Sequence, residues 1–358
     1  MPDSLTTTAA PFTPQLKRGA ASPDAPLIVS PVGADTDLRA ALEDLKMGRY
    51  LSARDLLART GPNWALRTIR SQLLAAGAGE PGVFKTWRDE EPNSSDAAMM
   101  WGRVLTRAAL AAYRGGQSQQ VVARAAGLAR QALYQARVLW PACPVPWVDL
   151  LKLTQLPFAP HHFDPHAHER GMPWDASRDP AMHHRGPWPL LAEINQRHPG
   201  NREGHHRMRE WFHNRSREPG AAMNYSCWLV AMGTPLNPQL QILPLYGLMD
   251  IYRKRHKDGQ NGALTFWQTA QVRHYACKAY DDWFANIAPV EYPWQPLSDL
   301  SHLAHALVAC GENDRAAFVF RAMGPYVTPQ PWQDINASLD RSADWRDEFL
   351  RIRASVLR

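Results

Sequence analysis

Only four cysteines, Cys143, Cys227, Cys277 and Cys310, occur in 358 residues, and no two of them form a Cys-x-x-Cys pair. That spacing excludes a disulfide framework and a zinc ribbon. The four fall mostly inside apolar helical patterns, so buried thiols are expected. No run of about 18 apolar residues exists, so no segment is built to span a bilayer. Residues 1–34 lack the charged-then-apolar design of a signal peptide, and the chain is expected to stay in the cytoplasm. Also missing are Gly-x-Ser-x-Gly, the Walker loop, Gly-x-Gly-x-x-Gly and His-Glu-x-x-His. Familiar hydrolase, phosphotransferase, dinucleotide and zincin chemistries therefore have no carrier, and an enzyme is not expected.

Lysine is scarce as well, with 7 against 33 arginines, and the formal charge is +6. Spread along the chain, that surplus is no argument for nucleic acid. The one dense basic run, Arg253-Lys254-Arg255-His256-Lys257, stands just before Asp258-Gly259, where a helix ends; cations there complement the negative end of the helix dipole. A phosphate contact at this run is the weaker alternative.

What is present is helical. In 187–213, Trp188, Leu191, Ala192 and Ile194 recur at helical spacing, Pro199 ends that helix, and Gly200 supplies a tight reversal. Asn201 is placed to accept from the free amides of the next helix, which runs through Met208, Trp211 and Phe212. Neither helix can bury its apolar stripe alone, so pairs must stack on neighbours. Asp35 is a candidate N-cap for a helix carrying Leu38, Leu42 and Leu45. Long helices are expected at 96–114 and 121–139, and further ones at 146–154, 221–232, 240–252, 263–286 and 297–323. A final polar helix at 344–357 would cap an open end. Residues 1–34 read as a disordered tail, 35–358 as one helical-repeat domain, and 157–186 as a long loop insertion.

Gly48, Tyr50 and Ala53 resemble the tetratricopeptide repeat, in which a Gly-x-Tyr turn is followed by a small residue that lets the second helix pack close. Proline turns at Pro92, Pro141 and Pro199 look similar to that repeat's boundaries, although they lie 49 and 58 residues apart. The wider pattern (ArgTyr-x2-AlaArg-x-LeuLeu at 49–57, ProTrpVal at 146–148, AsnArgGlu at 201–203, AspLeuSerHisLeuAlaHisAla at 299–306) is similar to a group of uncharacterised actinobacterial tetratricopeptide-like helical proteins. The resemblance implies an all-α fold of the degenerate tetratricopeptide type, an α-solenoid or right-handed superhelix of antiparallel helix pairs.

Ten of the fourteen histidines fall between 161 and 213. Those of 161–184 have acids nearby but no spacing of a defined metal site. His206, Glu210 and His213 lie at i, i+4 and i+7 on one helix, a pattern that could contribute ligands to a metal such as zinc, but the second Glu-x-x-His of a di-iron bundle is missing. A packed His206 with solvated Glu210 and His213 is the expectation. His302 and His305 are expected to be buried and bonded to backbone. Most of the fourteen tryptophans sit on apolar helical faces; Trp174, in the long loop, and Trp294, beside prolines, stand apart as candidate anchors.

The expected function is a protein- or peptide-binding scaffold with Asn201, Arg202, His206, Trp174 and Trp294 as candidate contacts and no cofactor. The alternative is a helical metal-binding protein or metalloenzyme through His206, Glu210 and His213.

Overall fold

The computed structural model describes residues 26–78, 81–157, 185–216, 218–231, 237–259, 262–338 and 344–358. The histidine-rich stretch 158–184, with Trp174, lies outside the described residues, as do residues 1–25. The fold is all-α: among the described residues the only strands are β1 (Ile28–Val29) and β2 (Tyr326–Val327), which pair in parallel.

The first helices are α1 (Thr36–Lys46), α2 (Leu51–Thr60), α3 (Trp64–Gly77) and α4 (Gly82–Glu90). Asp35 caps α1, its carboxylate accepting from the Leu38 amide at 3.0 Å, and it also pairs with buried Arg70 at 2.9 Å. Gly48, at φ +77°, reverses the chain, and fully buried Ala53 lets α2 close on α1. Tyr50 stacks on Trp87 with ring centres 5.5 Å apart.

A long hairpin follows, α5 (Ser95–Arg114) and α6 (Gln119–Leu139), started by the hydroxyls of Ser94 and Ser118. Then come α7 (Val145–Leu153), α8 (Trp188–Arg197), α9 (Arg202–Arg215) and α10 (Ala221–Ala231). A 3-10 turn at Pro238–Ile242 leads into α11 (Leu243–Lys257), α12 (Ala263–Trp267) and α13 (Ala270–Asp282). After 3-10 turns at Phe284–Asn286 and Pro289–Trp294 come α14 (Leu297–Ala309), α15 (Asn313–Met323), α16 (Trp332–Ser338) and α17 (Trp345–Leu357). Consecutive helices pack on one another through most of the chain, α1 on α2, α5 on α6, α9 on α10 and α14 on α15 among them. One buried apolar cluster runs from α1 into α6 and α7, and a second from α5 to α17.

Several expectations need correction. The ordered chain starts before Asp35: Ile28 and Val29 hydrogen-bond alongside Tyr326 and Val327, and Val32 is buried. Residues 263–286 are three pieces, because Phe266 and Trp267 pack beneath Tyr252 and His305 and the backbone leaves the helix at Thr269 (φ −68°, ψ 150°). The last helix is not polar all round. Its Phe349 is buried against Phe320 and Trp332, and its Arg353 is buried as well. Of the four thiols, none in a disulfide, only Cys143 is fully buried.

Candidate site: a cleft over a buried ionic network

The α8–α9 turn forms as its residues dictate. Gly200 takes φ +66°, and the Asn201 side chain accepts from the Gly204 amide at 2.8 Å while its amide meets His198 Nδ1 at 2.8 Å. A Cβ on Gly204 would lie 2.8 Å from Ile194 Cγ2, so only glycine allows α8 and α9 this close. The turn sets a cleft of about 90 Å³ between α3, the start of α9, residues 237–239 and the start of α14. Ile69, Leu73, Pro31 and Leu297 give it an apolar side; Asn201, Arg202, Glu203, Gln239 and Ser298 are among its polar residues.

Beneath this polar side, α9 buries an unusual number of charges for a helix interior. Arg202 Nε donates to Asp299 Oδ2 at 2.9 Å and its Nη2 pairs with Oδ1. Asp299 is fully buried and also accepts from Gln239 Nε2 at 3.0 Å and the Tyr246 hydroxyl at 2.7 Å. Burial alone would lower the Arg202 pKa, but the facing Asp299 outweighs it and holds it above the ordinary value. Glu203 pairs with Arg207 and, at 3.2 Å, with Arg202. Burial pushes the Glu203 carboxyl up, yet Arg207, His206 and Arg202 together bring it down to about 2. Gln72 of α3, with its amide nitrogen towards Glu203 at 3.1 Å, ties α3 to the same group. Arg207 also donates to Glu210 at 2.5 Å, and Glu210 accepts from Gln155 at 2.9 Å.

Buried histidines of α9 and α14 are held in their neutral form. Burial lowers His205 to about 4 and His302 and His305 to about 3. His205 meets the Tyr225 hydroxyl at 2.7 Å; His302 Nδ1 donates to the Ser298 carbonyl at 2.8 Å and its ring stacks on Tyr246. His305 packs edge-on to Trp267 and Trp332. Lys152, half-buried on α7, is brought to about 8 by burial and by Arg207, against the pull of Asp149 and Glu210.

Of the expected contact residues, Asn201 and Arg202 reach the cleft, and their side chains cap α9 and neutralise Asp299. His206 sits beside the network, 3.5 Å from Glu210 and edge-on to Tyr246. Trp294 is exposed on a 3-10 turn and is not among the residues that line the cleft. His206, Glu210 and His213 do not converge. Seven residues of helix separate the outer two by roughly 10 Å, Glu210 is taken by Arg207, and His213 faces Asp250 at 3.6 Å. Glu210 is thus paired, not solvated as expected. Among the described residues no group of three His, Cys, Asp or Glu side chains is arranged to hold a metal ion. In the basic run, Arg253 is held by Asp250 at 3.2 Å and by Asp334 at 2.6 Å, at the end of α11.

Glu203, Gln239, Tyr246 and Asp299 were missed from the sequence. The i, i+4 pairing of Glu203 with Arg207 was the available signal; the Arg202–Asp299 pair spans 97 residues and leaves none. A scan of protein-family models and a search of curated proteins found no match to the chain. Among the described residues no helix is long and apolar enough to cross a membrane.

Proposed function

We propose that the chain is a peptide- or protein-binding scaffold of the stacked-helix, tetratricopeptide-like type, working in the cytoplasm, and that the cleft above α9 is its recognition site. One observation carries this reading: the charged groups at the cleft are already ion-paired, with Glu203 held ionised far below neutrality. A general acid or base needs a pKa near the working pH, whereas a recognition site needs fixed donors and acceptors beside an apolar side. The cleft suits one side chain and the adjoining backbone of a bound segment. The Gly48, Tyr50 and Ala53 turn and the packing of consecutive helices support the repeat-like half of the reading, and thiols without disulfides suit a reducing compartment.

Ala65, exposed at the cleft, gives the test. Proteins retained from an extract of the source cells by the wild-type chain should be retained about tenfold less by Ala65→Trp, with circular dichroism unchanged. Equal retention would overturn the assignment of the cleft. Stoichiometric metal in protein purified without an affinity tag, lost in a His206→Ala, His213→Ala variant, would replace the scaffold by a metal-binding protein.

A further inference from the structure

The even spread of charge expected above does not hold. Residues 97–148 contain no Asp, Glu or Lys and six arginines, Arg103, Arg107, Arg114, Arg124, Arg130 and Arg137. Of the 40 basic residues, 34 remain elsewhere, and they match the 34 acidic ones, so the whole +6 belongs to this stretch. It is the α5–α6 hairpin and its exit. Arg103 is turned inward onto Asp149 at 2.7 Å, but Arg107, Arg114 and Arg124 are exposed and make no ion pair among the described residues.

The outer face of α6 carries a second regularity. Val121, Arg124, Leu128, Gln131, Gln135 and Val138 are all exposed and follow one another at steps of three, four, three, four and three residues. That is the seam spacing of a two-helix packing. Its apolar members stand well out of the surface, Val121 at 48%, Leu128 at 50% and Val138 at 72% exposure. A helix of 21 residues offers roughly 30 Å of such a seam.

We infer that the α6 face docks an acidic amphipathic helix of another protein, its apolar residues against Val121, Leu128 and Val138 and its carboxylates over Arg124 in the same row. Charge decides between occupants. A second copy docked through the same face would bring together two surfaces that each carry the chain's whole excess of positive charge, whereas an acidic partner is attracted and steered. Nucleic acid would use the arginines and leave the three-and-four apolar spacing without purpose; a bilayer surface would need a broader apolar face than one seam. This surface is separate from the cleft and stands or falls independently of the proposal for it.

The test uses the full chain and a displayed library of 21-residue helices with apolar a and d positions and Glu, Gln or Lys free at e and g. Peptides recovered should be acidic at e and g. Measured by fluorescence anisotropy, they should bind wild type and Ala65→Trp alike, and bind Leu128→Glu and Arg124→Glu at least about tenfold more weakly. Raising salt should weaken them further. Both substitutions are at exposed positions, and circular dichroism checks that the helices persist. Recovery of no sequence, recovery of neutral or basic sequences, or undiminished binding to Leu128→Glu would overturn the inference. So would Leu128-dependent binding to phosphatidylserine vesicles or to a 20-nucleotide RNA in preference to the acidic peptides.

Discussion

Helix α9 and the α5–α6 hairpin are both rich in arginine, and they use it in opposite ways. On α9 three arginines face inward and are matched: Arg202 by Asp299, Arg207 by Glu203 and Glu210, Arg209 by Asp250. On the hairpin no acid follows Asp96 in the first turn of α5, and three arginines face outward. The same residue is thus a structural tie in one place and an unmet surface charge in the other. What separates them is the location of the carboxylates, since a buried guanidinium without a counter-charge is strongly destabilising and an exposed one is not.

The sharpest break in that comparison comes from removing one carboxylate. Asp299→Ala strands Arg202, Gln239 and Tyr246 in a fully buried site, and should cost about 3–5 kcal/mol in urea unfolding. Arg124→Ala on the hairpin should stay within about 0.5 kcal/mol of wild type. If the two variants unfold at the same urea concentration, the network is not what holds α9 against α14.

Acid should find the α9 side next. His205, His302 and His305 are neutral in the fold well below their ordinary 6.5. As the pH falls from 6.5 towards 4, the unfolded chain binds protons that the folded chain refuses, so stability falls with pH. Each such histidine accounts for about 2 kcal/mol by pH 5. Glu203, depressed to about 2, adds a further loss only below the unfolded carboxyl range, from about pH 4.5 downward. In His305→Phe, which keeps a ring between Trp267 and Trp332, the drop in unfolding free energy between pH 7 and 5 should shrink by about 2 kcal/mol. An unchanged pH dependence would place His305 in contact with water.

Much of the α9 side could be read from the chain, and little of its chemistry. Asp35 and Asn201 announce their helices because an N-cap and its amide lie three residues apart, and Gly200 announces a reversal because the left-handed conformation favours glycine. The end of α11 at Asp258-Gly259 was legible for the same reason. The Arg202–Asp299 and Arg103–Asp149 pairs were not, because partners 97 and 46 residues apart leave no local pattern. Nor was the break of 263–286, since aromatic packing overrode a helical period. The hairpin's excess charge was hidden for a different reason: a net count over the whole chain averages it away, while a window without carboxylates shows it.

The inside of the hairpin should be as unforgiving as its outside is tolerant. A Cβ on Gly102 would lie 2.7 Å from Leu133 Cδ2 and 3.1 Å from the Leu133 amide nitrogen, so backbone as well as side chain would have to move. Gly102→Ala should lose about 1–3 kcal/mol. A neutral result would mean that α5 and α6 part readily.

Gly127 supplies the smallest effect and the opposite sign. It lies within α6, nothing among the described residues stands within 4 Å of the Cβ it lacks, and its backbone is not left-handed. Alanine there meets none of the described residues. It removes unfolded-chain freedom and raises helix propensity, so Gly127→Ala should stabilise the chain by about 0.5–1 kcal/mol. Because Gly127 is half-buried beside exposed Leu128, a gain in stability with unchanged binding of acidic helices would show that α6 is already formed before a partner arrives. A gain in affinity alongside the gain in stability would instead mean that docking has to complete the helix, and that part of the binding energy is spent on ordering it.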